Sequence, residues 1–234
     1  MLTVSGLQVV YGQSLILNGV DIEVPDGEVV CLMGRNGVGK TTLLKAIMGT
    51  LKVRRGTISY EGLNITNMAT HKRAQAGIGY VPQGRGIFPH LTVYENLLMG
   101  FEALDRRHPA RPDALDEVYA IFPVLKQMGK RVAGTLSGGQ QQQLAIGRVL
   151  VRDPKLLLLD EPTEGIQPNI VEDIENVIRS LRDQKHMTIL LVEQFLDFAL
   201  GIADTCYIME KGQIVSKQSA KSLDQDVIRE YLSV

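Results

Sequence analysis

The feature that most constrains this chain is a glycine-rich segment between an apolar run and an amphipathic one. Residues 34–41 read Gly-Arg-Asn-Gly-Val-Gly-Lys-Thr and fit the pattern G-x-x-x-x-G-K-[ST]. The apolar run at residues 28–33 is typical of a buried strand, and the periodicity of residues 40–48 predicts a helix. A strand, a glycine-rich turn and a helix in this order form the context in which the pattern binds phosphate. Residues 34–41 are therefore predicted to bind a nucleotide.

The residue types in this segment suit the binding of phosphate. Glycines let backbone N–H groups converge on phosphate oxygens, and the N-terminus of the following helix adds its dipole. The pattern assigns Lys40 to the β- and γ-phosphates, and the Thr41 hydroxyl can ligate Mg²⁺. A turn that merely redirects the chain would not require a lysine and a hydroxyl at these positions. The residues predicted to contact the nucleotide here are Gly34, Arg35, Asn36, Gly37, Val38, Gly39, Lys40, Thr41 and Thr42.

Two adjacent carboxylates follow a second apolar run. Residues 156–159 are four leucines, and Asp160 and Glu161 come directly after them. The carboxyl ends of the strands of an open parallel sheet border its ligand crevice. Asp160 is predicted to complete the Mg²⁺ shell, and Glu161 to polarise the water that attacks the γ-phosphate. The alternative is a strand that simply ends in acidic turn residues.

A third motif opens a helix predicted over residues 139–150. Ser137 is a favourable N-cap residue, and Gly138 and Gly139 allow an anion to approach the backbone closely. The segment from Ser137 to Gln140 therefore predicts a second helix N-terminus that binds phosphate. Taken alone, it would be no more than a helix cap.

The order of patterns along the chain predicts an α/β fold. Residues 2–24 alternate in hydropathy with breaks at Tyr11-Gly12 and Asn18-Gly19, which indicates antiparallel strands and hairpins. Strand-then-helix patterns return after residue 152, whereas helical patterns dominate residues 84–152. We predict one domain, 1–234, whose P-loop NTPase core (1–83 and 153–234) has a mostly parallel sheet and an N-terminal antiparallel β subdomain. Residues 84–152 are predicted as an inserted helical subdomain, with helices at 92–103, 114–128 and 139–150.

Composition limits the classes of partner. The chain has 25 Lys and Arg against 26 Asp and Glu, so no basic excess predicts a nucleic-acid partner. The apolar runs have the length of strands, well below the roughly 18 to 20 residues that span a bilayer. No secretory signal is visible at the N-terminus, which makes a cytosolic setting the expectation. Cys31 and Cys206 are predicted to be small buried hydrophobic residues.

The three motifs, in this order, resemble those of the ATP-binding subunits of ABC transporters, and the likeness covers essentially the whole chain. The resemblance implies ATP and Mg²⁺ as cofactors and a head-to-tail dimer with a second ATPase subunit, identical or homologous. Two ATP molecules would lie between the subunits, and Ser137, Gly138, Gly139 and Gln140 would contact the γ-phosphate held by the other copy. It also implies transmembrane permease subunits, an indirect solute-binding protein and a peripheral position on the cytoplasmic face of the membrane.

The resemblance assigns further roles residue by residue. Tyr11 matches an aromatic residue that stacks on adenine, with a core strand residue as the alternative. Gln83 matches a glutamine that senses Mg²⁺ and the membrane partner, so it joins Thr41 and Asp160 in the predicted metal set. Glu161 carries over as the catalytic carboxylate.

Two positions depart from the pattern of most relatives. Gln194 occupies the site of a switch histidine, and Gln167 occupies that of an aspartate that faces the partner subunit. A glutamine can hydrogen-bond a γ-phosphate oxygen but cannot titrate near neutral pH. We therefore predict that Gln194 acts in catalysis by positioning rather than by proton transfer.

These departures resemble the branched-chain amino acid group of importers, through Thr-Glu-Gly at 163–165 and Val-Glu-Gln at 192–194. Within that group, residues 34–40, 122–128, 140–148 and 163–168 resemble the urea-uptake branch most. The function predicted is ATP hydrolysis that powers urea uptake through a separate permease. Alternatives are the same role for a branched-chain amino acid or a short-chain amide, a soluble ABC ATPase that acts on ribosomes or DNA, and a nucleotide switch without hydrolysis.

Overall fold

Two β-sheets and eight α-helices make up the described part of the chain, which in this computed structural model is residues 1–102, 111–224 and 231–232. The strands are β1 (Leu2–Tyr11), β2 (Ser14–Val24), β3 (Val29–Met33), β4 (Val53–Tyr60), β5 (Leu63–Asn64), β6 (Ile78–Val81), β7 (Leu156–Asp160), β8 (Thr188–Glu193), β9 (Thr205–Glu210) and β10 (Gln213–Ser219). The helices are α1 (Lys40–Met48), α2 (Thr70–Gln75), α3 (Val93–Phe101), α4 (Ala114–Ile121), α5 (Pro123–Gln127), α6 (Gly138–Leu150), α7 (Pro168–Lys185) and α8 (Leu196–Ile202).

The two sheets differ in the direction of their strands. The first has the order β2-β1-β4-β5, and all its pairs are antiparallel. The second has the order β10-β9-β3-β8-β7-β6, in which the strands from β9 to β6 are parallel and β10 is an antiparallel edge. The predicted fold class, an α/β core with a mostly parallel sheet and an N-terminal antiparallel sheet, is confirmed. The boundaries drawn at residues 83 and 153 stay a prediction.

The central strands of the parallel sheet bury both faces. In β3, the side chains of Val29, Cys31 and Met33 join one hydrophobic cluster with the helices α3, α6, α7 and α8. Val30 and Leu32 join the other cluster, with α1 and the antiparallel sheet. A parallel sheet covered on both faces needs this continuous apolar sequence rather than an alternating one.

The two cysteines lie in this core, as predicted. Cys31 of β3 and Cys206 of β9 are neighbours in the sheet, are fully buried and are not bonded to each other. Burial raises the pKa of the Cys31 thiol and raises that of Cys206 to about 11. Both therefore behave as small apolar side chains.

Two local predictions were wrong. The helix expected over 114–128 is broken into α4 and α5 at Phe122, because Pro123 lacks the N–H of a continuing helix and begins a new one. The Asn18-Gly19 pair does not make a hairpin turn. It lies inside β2, where Leu7 pairs with Val20 and Gln8 with Asn18, so Gly19 is the extra residue of a bulge at φ 74°.

Side-chain hydrogen bonds cap the N-termini of two helices. Thr92 and Glu95 form a reciprocal capping box at the start of α3, and Ser137 and Gln140 form another at the start of α6.

Of the helices in the described residues, none combines the length and the hydropathy that crossing a bilayer requires.

The C-terminus of α1 is capped by a buried arginine from α2. Arg73 is 2% exposed, and its guanidinium donates to the carbonyl oxygens of Ala46 (2.9 Å), Ile47 (2.6 Å), Thr66 (2.9 Å) and Met68 (2.8 Å). The carbonyls at the end of a helix lack partners within that helix, and a cation there also suits the helix dipole. This cap holds the helix whose other end carries the phosphate loop.

We expect Arg73→Met to lower the free energy of unfolding by about 3 kcal/mol, because buried carbonyl oxygens would lose their donors. Urea denaturation of the purified chain measures this change. Lys72→Met, at an exposed position of the same helix, is the control and should change stability by less than about 0.5 kcal/mol. Equal stability of the two variants would contradict the role given to Arg73.

Candidate functional site

The glycine-rich segment forms a loop between β3 and α1, as predicted. Gly34, Gly37 and Gly39 have φ values of 154°, 80° and 116°, which lie in the region that favours glycine. A Cβ at Gly34 would lie 2.4 Å from the backbone oxygen of Met209 in β9, so this position also has no space for a side chain. A Cβ at Gly37 would meet no atom within 4 Å, so only the backbone conformation favours glycine at this position. The loop is therefore packed against the sheet at one end and open in the middle.

Lys40 crosses the inside of this loop. Its side chain is 4% exposed, and Nζ donates to the backbone oxygens of Gly34 (2.7 Å) and Arg35 (3.0 Å). The same ammonium lies 3.4 Å from Oε1 of Glu161. A single positive charge thus links the loop to the second predicted motif.

Asp160 ends β7 beside Thr41. The Thr41 hydroxyl donates to Asp160 Oδ1 at 3.1 Å, and the Tyr80 hydroxyl donates to Oδ2 at 3.2 Å. Burial raises the pKa of Asp160, although these two hydrogen bonds act in the opposite direction. Burial and the neighbouring Asp160 raise the pKa of Tyr80.

This donor set fits magnesium. A buried carboxylate and a hydroxyl lie side by side at the phosphate loop, and Mg²⁺ prefers such oxygen ligands together with the phosphates of a nucleotide. Thr41 and Asp160 would hold the ion, and a bound cation would favour the charged form of Asp160 against its burial. When bound, Mg²⁺ would supply positive charge to the phosphate oxygens.

Glu161 is the meeting point of three donors. It is 7% exposed and has a φ of 47°, an uncommon value for a residue other than glycine. Its Oε2 accepts from the side-chain amides of Gln83 (3.1 Å) and Gln194 (3.2 Å), and its Oε1 faces Lys40. The two amides orient the carboxylate without carrying a charge. The carboxylate is thereby held at the mouth of the phosphate loop, where it can accept a proton from water.

These residues enclose a pocket of about 150 Å³. Gln83 reaches it from the loop after β6 and also donates to Oε2 of Glu164 at 3.0 Å. The lining residues are Asn36, Gly37, Gly39, Lys40, Thr41, Thr42, Gln83 and Glu161. Of the remaining loop residues, Arg35 offers its carbonyl oxygen to Lys40, and Val38 packs against the core and accepts from the N–H of Gly212 at 2.9 Å.

The third motif lies outside this pocket. Ser137 caps α6, and its hydroxyl and the Gln140 amide bond each other's backbone N–H groups. A Cβ at Gly138 would lie 2.9 Å from the Arg85 guanidinium, and one at Gly139 would lie 2.7 Å from Ile170. Among the residues that line the pocket at Lys40, there is no member of the segment from Ser137 to Gln140. One copy of the chain therefore brings together the first two motifs but not the third.

Two further predicted positions lie apart from the pocket. Tyr11 is the last residue of β1 and is 45% exposed, beside the turn at Gly12. Gln167 precedes Pro168 as the N-cap residue of α7. Neither lines the pocket at Lys40.

Three residues beside this site were not predicted as functional from sequence patterns. Tyr80 reaches Asp160 from β6, the strand next to β7. Glu164 shares the Gln83 amide with Glu161. Glu193, at the end of β8, is fully buried and accepts from Thr163. Glu193 had a sequence signal, because it is a carboxylate at the end of an apolar run. Its hydrogen-bond partner, Thr163, is 30 residues away in the chain.

Comparison with known proteins decides the family. The profile described as ABC transporter matches residues 17–164, more than half of the chain and including the phosphate loop, Asp160 and Glu161. The chain belongs to the ABC transporter family. It is an ATPase of that family, with ATP and Mg²⁺ as its cofactors, as the motifs predicted.

Curated relatives align over nearly the whole chain. A high-affinity branched-chain amino acid transport ATP-binding protein of Pseudomonas aeruginosa is 41% identical, over 95% of this chain and 94% of that protein. A probable branched-chain amino acid transport ATP-binding protein of Archaeoglobus fulgidus is 39% identical, over 95% and 94% of the two chains. Among solved structures, the ADP conformation of an ATP-binding cassette of an ABC transporter is 31% identical, with a TM-score of 0.82 over 98% of this chain and 97% of that one.

We expect Lys40→Ala to weaken ATP binding at least about 100-fold, because a buried charge-assisted contact to phosphate is lost. Equilibrium titration with a fluorescent ATP analogue measures the effect. Lys52→Ala, at an exposed position beyond α1, should bind within about twofold of the parental chain. Unchanged binding by Lys40→Ala would contradict the assignment of the phosphate loop.

Proposed function

We propose that this chain is the ATP-hydrolysing subunit of an importer and acts in a head-to-tail dimer with a second ATPase chain. The observation that carries this proposal is the separation of the motifs. Lys40 and Glu161 line one pocket, and the Gln194 amide donates to Glu161, whereas Ser137 and its glycines are not part of that lining. A second phosphate-binding helix N-terminus has a use if it closes on the nucleotide of another copy. Each nucleotide would then be bound between two chains.

Hydrolysis follows from the arrangement around Glu161. The carboxylate accepts the proton of the water that attacks the γ-phosphorus, and the Gln83 and Gln194 amides keep it oriented. Lys40 stabilises the negative charge that develops on the phosphate oxygens. Ser137, Gly138 and Gly139 of the other copy donate to the γ-phosphate until the β–γ bond breaks. Loss of that phosphate removes the bridge, and the dimer opens.

We propose that opening and closing are passed to a separate transmembrane permease through the loop that carries Gln83. That loop bonds both Glu161 and Glu164, so it responds to the state of the nucleotide pocket. Residues 84–152, which follow it, would move as the helical subdomain. The chain would work on the cytoplasmic face of the membrane, with a solute-binding protein on the other side. Its relatives named as transport ATP-binding proteins support this role.

We propose urea as the solute, on the likeness of residues 34–40, 122–128, 140–148 and 163–168 to the urea-uptake branch. A branched-chain amino acid is the second candidate, favoured by the names of the relatives that are 41% and 39% identical. The pocket at Lys40 has the phosphate loop and the catalytic carboxylate in its lining and does not distinguish the two solutes.

We expect Glu161→Gln to lower ATP turnover about 100-fold or more while ATP still binds, because the amide cannot accept the proton of water. The variant should accumulate as a closed dimer with ATP, which light scattering detects as a doubled mass. Glu172→Gln, at an exposed position of α7, is the control and should remain at the parental rate. Parental turnover by Glu161→Gln would remove Glu161 from its proposed role.

Deletion of the gene in the source cell should abolish uptake of labelled urea and leave uptake of labelled leucine intact. The parental gene should restore uptake, and the Lys40→Ala form should not, because transport requires the bound nucleotide. Loss of leucine uptake instead would assign the chain to the second candidate solute. Loss of neither would contradict both candidate solutes.

A further inference from the structure

A fully buried carboxylate lies next to Gln194 and has no part in the chemistry described so far. Glu193 is the last residue of β8 and is 0% exposed. Burial of an ionisable group is costly unless hydrogen bonds compensate for the lost water, and here burial raises the pKa of Glu193. Four hydrogen bonds surround this side chain.

The two carboxylate oxygens of Glu193 accept hydrogen bonds from two different loops. Oε1 accepts from the backbone N–H of Thr163 (3.2 Å) and from its hydroxyl (2.6 Å). Oε2 accepts from the backbone N–H groups of Gln194 (3.0 Å) and Phe195 (3.3 Å). The carboxylate therefore connects the loop after β7 to the loop after β8.

These two loops carry the groups that meet at the nucleotide pocket. Thr163 lies two residues after Glu161 in the chain, and the Gln194 amide donates to Glu161 Oε2 at 3.2 Å. A shift of either loop would change this contact. A displacement of about 1 Å at such a contact can reduce turnover by about 100-fold.

We propose that Glu193 is a positioning residue for ATP hydrolysis, which holds the Gln194 side chain against the Glu161 carboxylate. The proposal rests on the proposed roles of Glu161 and Gln194. It explains why a carboxylate occupies a site with no exposure to water. Glu193 does not line the nucleotide pocket, and it acts through the two loops that it connects.

The chemistry of the site requires both oxygens of a carboxylate. All four groups around Glu193 donate, and a glutamine has one oxygen and one NH₂. In Glu193→Gln, the NH₂ would face either the Thr163 donors or the backbone N–H groups of Gln194 and Phe195. One of the two loops would lose its anchor, although the volume of the side chain is unchanged.

The test is a double-mutant cycle on the purified full-length chain, with kcat and KM for ATP measured at saturating Mg²⁺. We expect Glu193→Gln to lower kcat at least about tenfold with KM within about twofold, since nucleotide binding is untouched. In the Gln194→Ala background, the same substitution should change kcat by less than about twofold. Asp197→Asn removes an exposed carboxylate of α8 and should keep the parental kcat.

Thr163→Val provides a second route that keeps the carboxylate. It removes only the hydroxyl that donates to Oε1 and should lower kcat about threefold in the parental background, with no effect in the Gln194→Ala background. It decides the question if Glu193→Gln has a melting temperature too low for assay. A structural role alone would lower the melting temperature of the variants while leaving kcat per folded chain unchanged.

A kcat within twofold of the parental value for Glu193→Gln, or effects that multiply fully with Gln194→Ala, would overturn the proposal. So would full turnover by Gln194→Ala alone, because Glu193 would then have nothing to position. Failure of the proposed function is a separate result: Glu161→Gln would hydrolyse ATP at the parental rate. The two failures are therefore distinguishable.

Discussion

The site depends on the parallel hydrogen bonding of β3, β7 and β8. Met33 pairs with Glu193, and Asp160 pairs with Val192, so the three strands end at the same edge of the sheet. Whatever follows them in the chain must emerge there: the phosphate loop after β3, the acidic pair at the end of β7 and the glutamine after β8. Both faces of these strands are packed in apolar clusters, and this close packing holds the strands in place against one another. The hydrophobic core thus sets the geometry of the catalytic groups.

Lys40 shares this edge of the sheet with two carboxylates, Asp160 and Glu161. Lys40 faces Glu161 and the carbonyls of its own loop, while neutral amides and hydroxyls supply the other donors to Asp160 and Glu161. The phosphate loop and Lys40 suit the binding of phosphate. A bound phosphate would supply negative charge to this loop. Gln194 contacts Glu161 through a neutral amide, which does not titrate near neutral pH.

The placement of α6 is the observation behind the proposed dimer. Its N-terminus is built for close approach, with a capping box at Ser137 and two glycines packed against Arg85 and Ile170. Ile170 leaves no room for a side chain at Gly139, whereas a side chain at Gly138 would require the Arg85 guanidinium to move, so Gly139 serves the fold. In the proposed dimer, a site completed by a second copy would make catalysis sensitive to the separation of the two chains.

The local sequence determined the features that depend on residues close together in the chain. These are the loop before Lys40, the cap at Ser137 and the apolar strand that ends at Asp160. The same kind of signal at Pro123 marked a helix break that the periodicity of residues 114–128 obscured. Tertiary structure alone decided the rest. Strand order brings Tyr80 to Asp160 and Glu193 to Thr163, and the packing of α2 brings Arg73 to the end of α1. These contacts join residues 27 to 80 positions apart. No local pattern encodes such pairs, because the tertiary arrangement, rather than the residues beside each partner, sets which segments are neighbours.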